Sequence, residues 1–261
     1  MSEFFSGIKF FSNNSALLTM GGSVSATHGN ATASHAFNGS FDFGWRSEGA
    51  ADDLTIAKLT RTFDSEVEAD TIIVCNHNLK DPIVTINGAR ILPDPVLVTH
   101  NGFTVATFNK RSDISSIRVC GCETIVPNEE KSIGEVMLLS NLGQFSTPQA
   151  LSNDFNREQG ELTLQNGKKF IFDCGQSWEF EISIFALDDA DIALAEKISR
   201  MTAPFYMWPC GGNIDQFKYS FSPFKFEDIY KVSVVKGNSP NLSDNMYWTG
   251  LHDKIRLVEV E

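Results

Sequence analysis

Cys75 and His77 stand two residues apart in the run Thr71 to Asn78 (TIIVCNHN). In an extended strand, residues i and i+2 share a face, so thiol and imidazole could meet as nucleophile and base. The same run closes an apolar strand and opens the Lys80-Asp81-Pro82 turn, where Asn and His side chains bond to loop backbone. A structural role is therefore expected for the cluster. Asp52 and Asp53 could lend oxygens to a calcium site in a loop, whereas Asp188, Asp189 and Asp191 read as charge at the positive end of a helix dipole. Cys120 and Cys122 flank one glycine, too close for a relaxed bridge and without two further zinc ligands. No EF-hand loop, HExxH helix, CxxC pair set, phosphate loop or GxSxG elbow occurs. Gly211-Gly212 follows a strand, but no helix pattern comes after it to receive a phosphate. Glycoside hydrolysis needs two carboxylates roughly 5–10 Å apart, and no pair stands out in the sequence. The expectation is a protein that is not an enzyme, with no cofactor and no metal.

Composition narrows the partners. The 261 residues include 21 Phe, and 33 Asp plus Glu face 21 Lys plus Arg, for a net charge of −12. Binding through phosphate contacts needs clustered cations, and no basic run exceeds Lys168-Lys169 or Lys110-Arg111. No nucleic-acid partner is therefore expected. The start of the chain has no charged region followed by an apolar one, and no apolar stretch approaches the ~20 residues that cross a bilayer. Synthesis in a cytoplasm and no membrane insertion are expected. The five cysteines are an odd number with poor spacing for a disulfide framework, and all are read as reduced thiols.

The elements that must position any site are mostly strands. The first ~30 residues are rich in Ser, Asn, Gly and Phe and lack helical periodicity. Leu54 to Ile56 and Leu59 precede an acidic turn at Asp64 to Asp70, and Thr71 to Cys75 suits a strand buried on both faces. Asn87-Gly88 joins the runs Pro82 to Ile86 and Ala89 to Leu92 as a two-residue hairpin. Phe103 to Phe108 and Ile114 to Val119 read as two more strands. Val126 to Lys131 (VPNEEK) is the expected boundary, and Ile133 to Leu139 resumes as a strand. Asn141 to Gly160 looks like a long polar excursion. Asn166-Gly167 joins Leu162 to Leu164 with Phe170 to Phe172, and Trp178, Phe180, Ile182 and Ile184 alternate with polar residues. One helix is expected, with Leu187, Ala190, Leu194, Ile198 and Met201 as its apolar stripe and Pro204 as its stop. Phe205 to Trp208, Phe217 to Phe221, Ile229 to Val235 and Ile255 to Val260 complete a second sheet. The fold class is mainly β: an N-terminal jelly-roll or β-sandwich over 1–125, then a C-terminal antiparallel β domain over 126–261 with one packed helix near 188–203.

The stretch His35 to Gly49 (HAFNGSFDFGWRSEG), with the strand and Asn-His-Asn turn of Thr71 to Asn78, resembles the entry of discoidin-type, galactose-binding-like domains across roughly residues 20–122. That resemblance implies a β-sandwich whose end Trp45 plugs, with sugar stacking as the alternative role for this ring. It also implies candidate ligand contacts at Trp45, Arg46, Asp52 and Asp53. The second half resembles bacteriophage minor tail and baseplate proteins through Gly134-Glu135 opening a strand, the helix Asp188 to Met201, and the run Ala203 to Gly212 (APFYMWPCGG). That likeness implies a sheet related to tail-tube subunits. It further implies a structural tail-tip subunit of the virion tail that assembles with other tail and baseplate proteins as a homo-oligomeric ring. The alternative is a carbohydrate-binding module that recognises host surface glycans.

Overall fold

The computed structural model describes residues 3–5, 7–12, 14–40, 44–90, 96–147, 149–163, 169–184, 188–211, 224–235 and 253–260. The strands are, in chain order, β1 (Glu3–Phe5), β2 (Lys9–Phe11), β3 (Ser23–Ala26), β4 (Trp45–Arg46), β5 (Ala57–Cys75), β6 (Ile83–Ile86), β7 (Ala89–Arg90), β8 (Val96–His100) and β9 (Phe103–Gly121). There follow β10 (Ser132–Ile133), β11 (Glu135–Leu139), β12 (Asn141–Gln144), β13 (Gln149–Thr163), β14 (Lys169–Ile184), helix α1 (Asp189–Ser199), β15 (Phe205–Trp208), β16 (Tyr230–Val234) and β17 (Asp253–Glu259). The chain is mainly β, and it divides into two compact units: residues 12–141, and residues 1–11 with 142–261.

The first unit is built on two long partners, β5 and β9. Over Ala57 to Thr62, β5 pairs with Ser116 to Gly121 of β9, with β3 and β6 on either side. Over Thr71 to Val74 it pairs with Thr104 to Thr107, flanked by β11 and β8. Register shifts between Thr62 and Thr71 separate these halves, and such shifts bend and twist a strand. The two halves face each other: Leu59, Val84, Ile117 and Val119 of one share a single apolar cluster with Ile72, Val74, Ala106 and Val136 of the other. Apolar side chains on two inner faces packed together make a β-sandwich.

Several expectations change in this unit. The acidic stretch Asp64 to Asp70 is not a turn but the irregular middle of β5, and the two strands expected at Phe103–Phe108 and Ile114–Val119 are one, β9. Leu54 to Ile56 is a turn rather than a strand, because Asp52 closes it by accepting the N–H groups of Leu54 and Thr55. The boundary expected at 126–131 falls inside the unit, since β10 pairs with β4 and β11 with the second half of β5. Asn87 and Gly88 do form the hairpin turn, at φ 51° and 76°. Asn101 and Gly102 form a second one, at 45° and 75°. In that turn a Cβ on Gly102 would lie 2.3 Å from the His77 carbonyl oxygen.

The second unit is an eight-stranded sheet in the order β1-β13-β14-β17-β16-β15-β2-β12. The polar run 141–160 is not a loop: it supplies β12 and β13, and β13 pairs with β14 over Ala150 to Thr163. Its polarity misled because the ladder rests on backbone hydrogen bonds, which any non-proline residue can supply. Helix α1 contributes Leu194, Ala195 and Ile198 to a cluster with Phe10, Phe180, Ile182, Phe205 and Ile255. Ala190, expected on the apolar stripe, is exposed, and Asp191 is buried in its place. Leu187, Asn166-Gly167 and the strand expected at 217–221 lie outside the described residues.

Candidate functional site

Trp45 is 1 % exposed. It belongs to the apolar cluster of the sandwich, and its Nε1 donates to the His28 carbonyl at 3.0 Å. The ring is therefore a plug and presents no face to a sugar. Arg46 beside it is exposed.

Asp52 and Asp53 are engaged by their own loops. Asp52 accepts the Thr55 hydroxyl at 2.7 Å and the Thr55 N–H at 2.8 Å, and the hydroxyl leads in holding its carboxyl below the ordinary carboxylate range. Asp53 accepts the Thr124 hydroxyl at 3.0 Å and its N–H at 3.2 Å. Desolvation pushes Asp53 up, but hydrogen bonds from Asn128 and Thr124 prevail and leave it lowered. Between these loops Lys131 is fully buried, its ammonium donating to the carbonyls of Ala50 and Asp52. A cation already occupies the carbonyl end of this loop, and it is the protein's own. Among the described residues no three His, Cys, Asp or Glu side chains gather as a metal-ligand set.

In the Cys75–Asn78 cluster Asn78 serves the loop backbone, as expected, whereas His77 pairs with a side-chain hydroxyl. Cys75 is buried and its thiol is pushed well up by burial and by Glu135 nearby. His77 Nε2 pairs with the Thr104 hydroxyl at 2.8 Å, and burial pushes its imidazole down to about 4. Asn78 clamps the loop before β10: its Oδ1 accepts from Ser132 N–H and its Nδ2 donates to the Glu130 carbonyl, both at 2.8 Å. A thiol held neutral by its surroundings is a poor nucleophile. Among Asp188, Asp189 and Asp191, only Asp188 caps the helix, accepting the Asp191 N–H at 2.7 Å. Asp191 instead accepts from the N–H groups and hydroxyls of Ser146 and Thr147.

An open depression of about 270 Å³ lies elsewhere, on the outer face of the first half of the sandwich. Ser25, Ala26, Thr27, Lys58, Thr60 and Arg118 line it. Register explains the grouping: Ser25, Thr60 and Arg118 stand opposite one another on β3, β5 and β9, and Lys58 stands opposite Cys120 one step along. Alternation sends Leu59 and Val119 to the core and their neighbours outward. Arg118 Nε donates to the Thr60 hydroxyl at 3.2 Å, which fixes its guanidinium over the depression. The alternating pattern of residues 57–62 marks these side chains as outward-facing. Nothing local, however, brings Arg118 next to Thr60 from 58 positions away. The four residues expected at the site, Trp45, Arg46, Asp52 and Asp53, line no part of this depression.

The chain is similar to several solved structures, carbohydrate-binding modules among them. The chitosan-binding module 1 of a chitosanase/glucanase from Paenibacillus sp. IK-5 aligns at 19 % identity and a TM-score of 0.37, over 48 % of this chain and 98 % of the module. The family 32 carbohydrate-binding module from C. perfringens NanJ, solved with galactose, aligns at 18 % identity and 0.38, over 45 % and 93 %. An F5/8 type C domain from Bacteroides fragilis aligns at 15 % and 0.37, over 51 % and 97 %. No family model and no curated protein matches the sequence.

Proposed function

We propose that the protein is a carbohydrate-binding module whose sandwich recognises a surface glycan through the outer sheet face at Ser25, Thr27, Lys58, Thr60 and Arg118. The observation that carries this reading is the open, polar depression, where hydroxyls and two long cationic side chains converge on a rigid sheet. Convergent donors and acceptors on a preformed surface suit a ligand made of hydroxyl groups. The role is binding rather than catalysis. A polysaccharide microarray with the whole chain, alongside Thr60→Trp, tests it. Binding to at least one polysaccharide, lost by about tenfold or more when the indole fills the depression, is the expected result. Equal binding by both proteins would remove the depression from the site, and no binding at all would end the reading.

A second reading is a structural subunit of a phage tail tip, made in the host cytoplasm and assembled into the virion with other tail proteins as a ring. Its support is an aliphatic patch on the loops that Asp53 and Thr124 tie together: Leu54 is 92 % exposed, and Ile56, Ile125 and Val126 are 53 %, 54 % and 55 % exposed. Grouped exposed aliphatics mark contact surfaces. Light scattering with and without extracted tail proteins tests it. Leu54→Asp should abolish any assembly seen, and a chain that stays monomeric with tail proteins present would sink this reading.

A further inference from the structure

We infer that the ligand of this sheet face is an acidic glycan, whose carboxylate or sulfate is held between Lys58 and Arg118. This rests on the carbohydrate-binding reading and narrows its substrate class. Several surface cations are neutralised locally: Lys80 pairs with Glu123, Lys110 with Glu68, Arg111 with Asp113, and Lys254 and Arg256 with Glu181. Among the described residues Lys58 and Arg118 have no such partner. They lie on one face of one sheet, diagonal to each other across β5 and β9, and no carboxylate pairs with either among the described residues. Diagonal neighbours sit roughly 7–8 Å apart at the backbone, within joint reach of one anionic group.

One nitrogen of Arg118 and the backbone of Lys58 are held by hydroxyls of the same face. The Thr60 hydroxyl accepts from Arg118 Nε, so the two terminal nitrogens of the guanidinium are left to bind a ligand. Two parallel N–H groups match the two oxygens of a carboxylate or sulfate. The Lys58 backbone is held at the rim by its N–H, which donates to the Thr27 hydroxyl at 3.0 Å. Ser25, Thr27 and Thr60 line the same depression, so sugar hydroxyls meet protein hydroxyls while the acid group meets the cations. Cys120, directly opposite Lys58 and partly exposed, lies beside the depression, so its alkylation serves as a readout of a ligand covering this face.

The test uses the whole chain and four probes: an oligogalacturonate, its methyl ester, a sulfated galactan, and the same galactan desulfated. At least one charged probe should bind about tenfold or more tighter than its neutral counterpart and slow alkylation of Cys120. Its affinity should fall as salt rises, because partly exposed charges are screened. Preference for the oligogalacturonate assigns a carboxylate, and preference for the sulfated galactan assigns a sulfate ester. Lys58→Met and Arg118→Gln, both at surface positions and checked for folding by circular dichroism, should each reduce charged-probe binding about fivefold or more, and by more than they reduce binding of the neutral probes. If neutral and charged probes bind alike and both variants match the parent, the acidic specificity is overturned while glycan binding stands. If no probe binds, the acidic assignment falls, and the polysaccharide microarray decides separately whether glycan binding stands. If inorganic sulfate protects Cys120 at the same concentration as the oligosaccharides, the face is a simple anion site and the glycan assignment is overturned.

Discussion

Both carboxyl oxygens of Glu135 lie 3.2 Å from the backbone N–H of Gly39, and that carboxyl is 1 % exposed. The glycine sits at φ 82° in the Asn38-Gly39 turn, 96 residues earlier in the chain, so one buried acid on β11 anchors the end of the 3-10 helix Asn30–Phe37. Burial pushes Glu135 up to about 9, with the N–H groups of Gly39 and Asn38 opposing. The residue is therefore a neutral acid at neutral pH.

A folded-state value of about 9 against an ordinary 4.5 sets a direction for stability. Between those two values the unfolded chain has lost a proton that the folded chain keeps, so stability falls as pH rises through the window. His77 acts oppositely below 6.5, because the folded chain resists the proton that the unfolded chain takes up. The two effects overlap and offset below 6.5, leaving Glu135 unopposed by His77 between 6.5 and 9. Denaturant titrations should show a decline across pH 6.5–9 that Glu135→Gln removes, since an amide cannot ionise. A Gln variant with the parent's slope would assign the decline to another group.

Trp45→Ala should lower stability by roughly 3–5 kcal/mol, the usual cost of emptying a large aromatic site in a core. Trp45→Phe should cost less, and it retains ring packing while losing the bond to the His28 carbonyl. Glycan affinity per folded molecule should be unchanged in the Phe variant. A selective loss of affinity there, measured by calorimetry at unchanged stability, would return this ring to the ligand site.

Arg61 is fully buried among backbone carbonyls. Its guanidinium donates to those of Ala16, Leu17, Gly21, Ser23 and Thr62, and it stacks over Phe63 at 5.1 Å. The segment from Ala16 to Ser23 is thus tied to β5 by one side chain. Removing it strands several buried acceptors at about 1–3 kcal/mol each before relaxation. Arg61→Met should cost more than about 3 kcal/mol by chemical denaturation and increase hydrogen exchange over 16–24. Unchanged exchange in that segment would mean that water replaces the guanidinium.

Asp191 joins helix α1 to the link between β12 and β13 through Ser146 and Thr147. Asp191→Ala should destabilise by about 2 kcal/mol or more, because charge-assisted bonds to two N–H groups and two hydroxyls disappear together. Asp188→Ala removes an N-cap and should cost about 1 kcal/mol. Reversal of that order in thermal melts would show that the cap, not the buried carboxylate, holds the helix in place.

Local pattern was enough for the strands and their facing. Alternation at Trp178 to Ile184 named the buried face of β14, as Phe180, Ile182 and Ile184 show. Asn87-Gly88 announced its turn, because these residues tolerate positive φ at small cost, and Asp188 announced the start of α1. Tertiary structure decided what local pattern leaves open. Arg61 occupies a core-facing position of its strand and stays inside because distant carbonyls surround it. The acidic middle of β5 remains a strand because β9 pairs across its bulges. Lys58 and Arg118 share a face only because two strands 60 residues apart in the chain lie side by side in this register. Period and turn chemistry are properties of neighbours in sequence. Adjacency of strands, and with it the candidate site, is set by the balance of burial and backbone pairing over the whole chain.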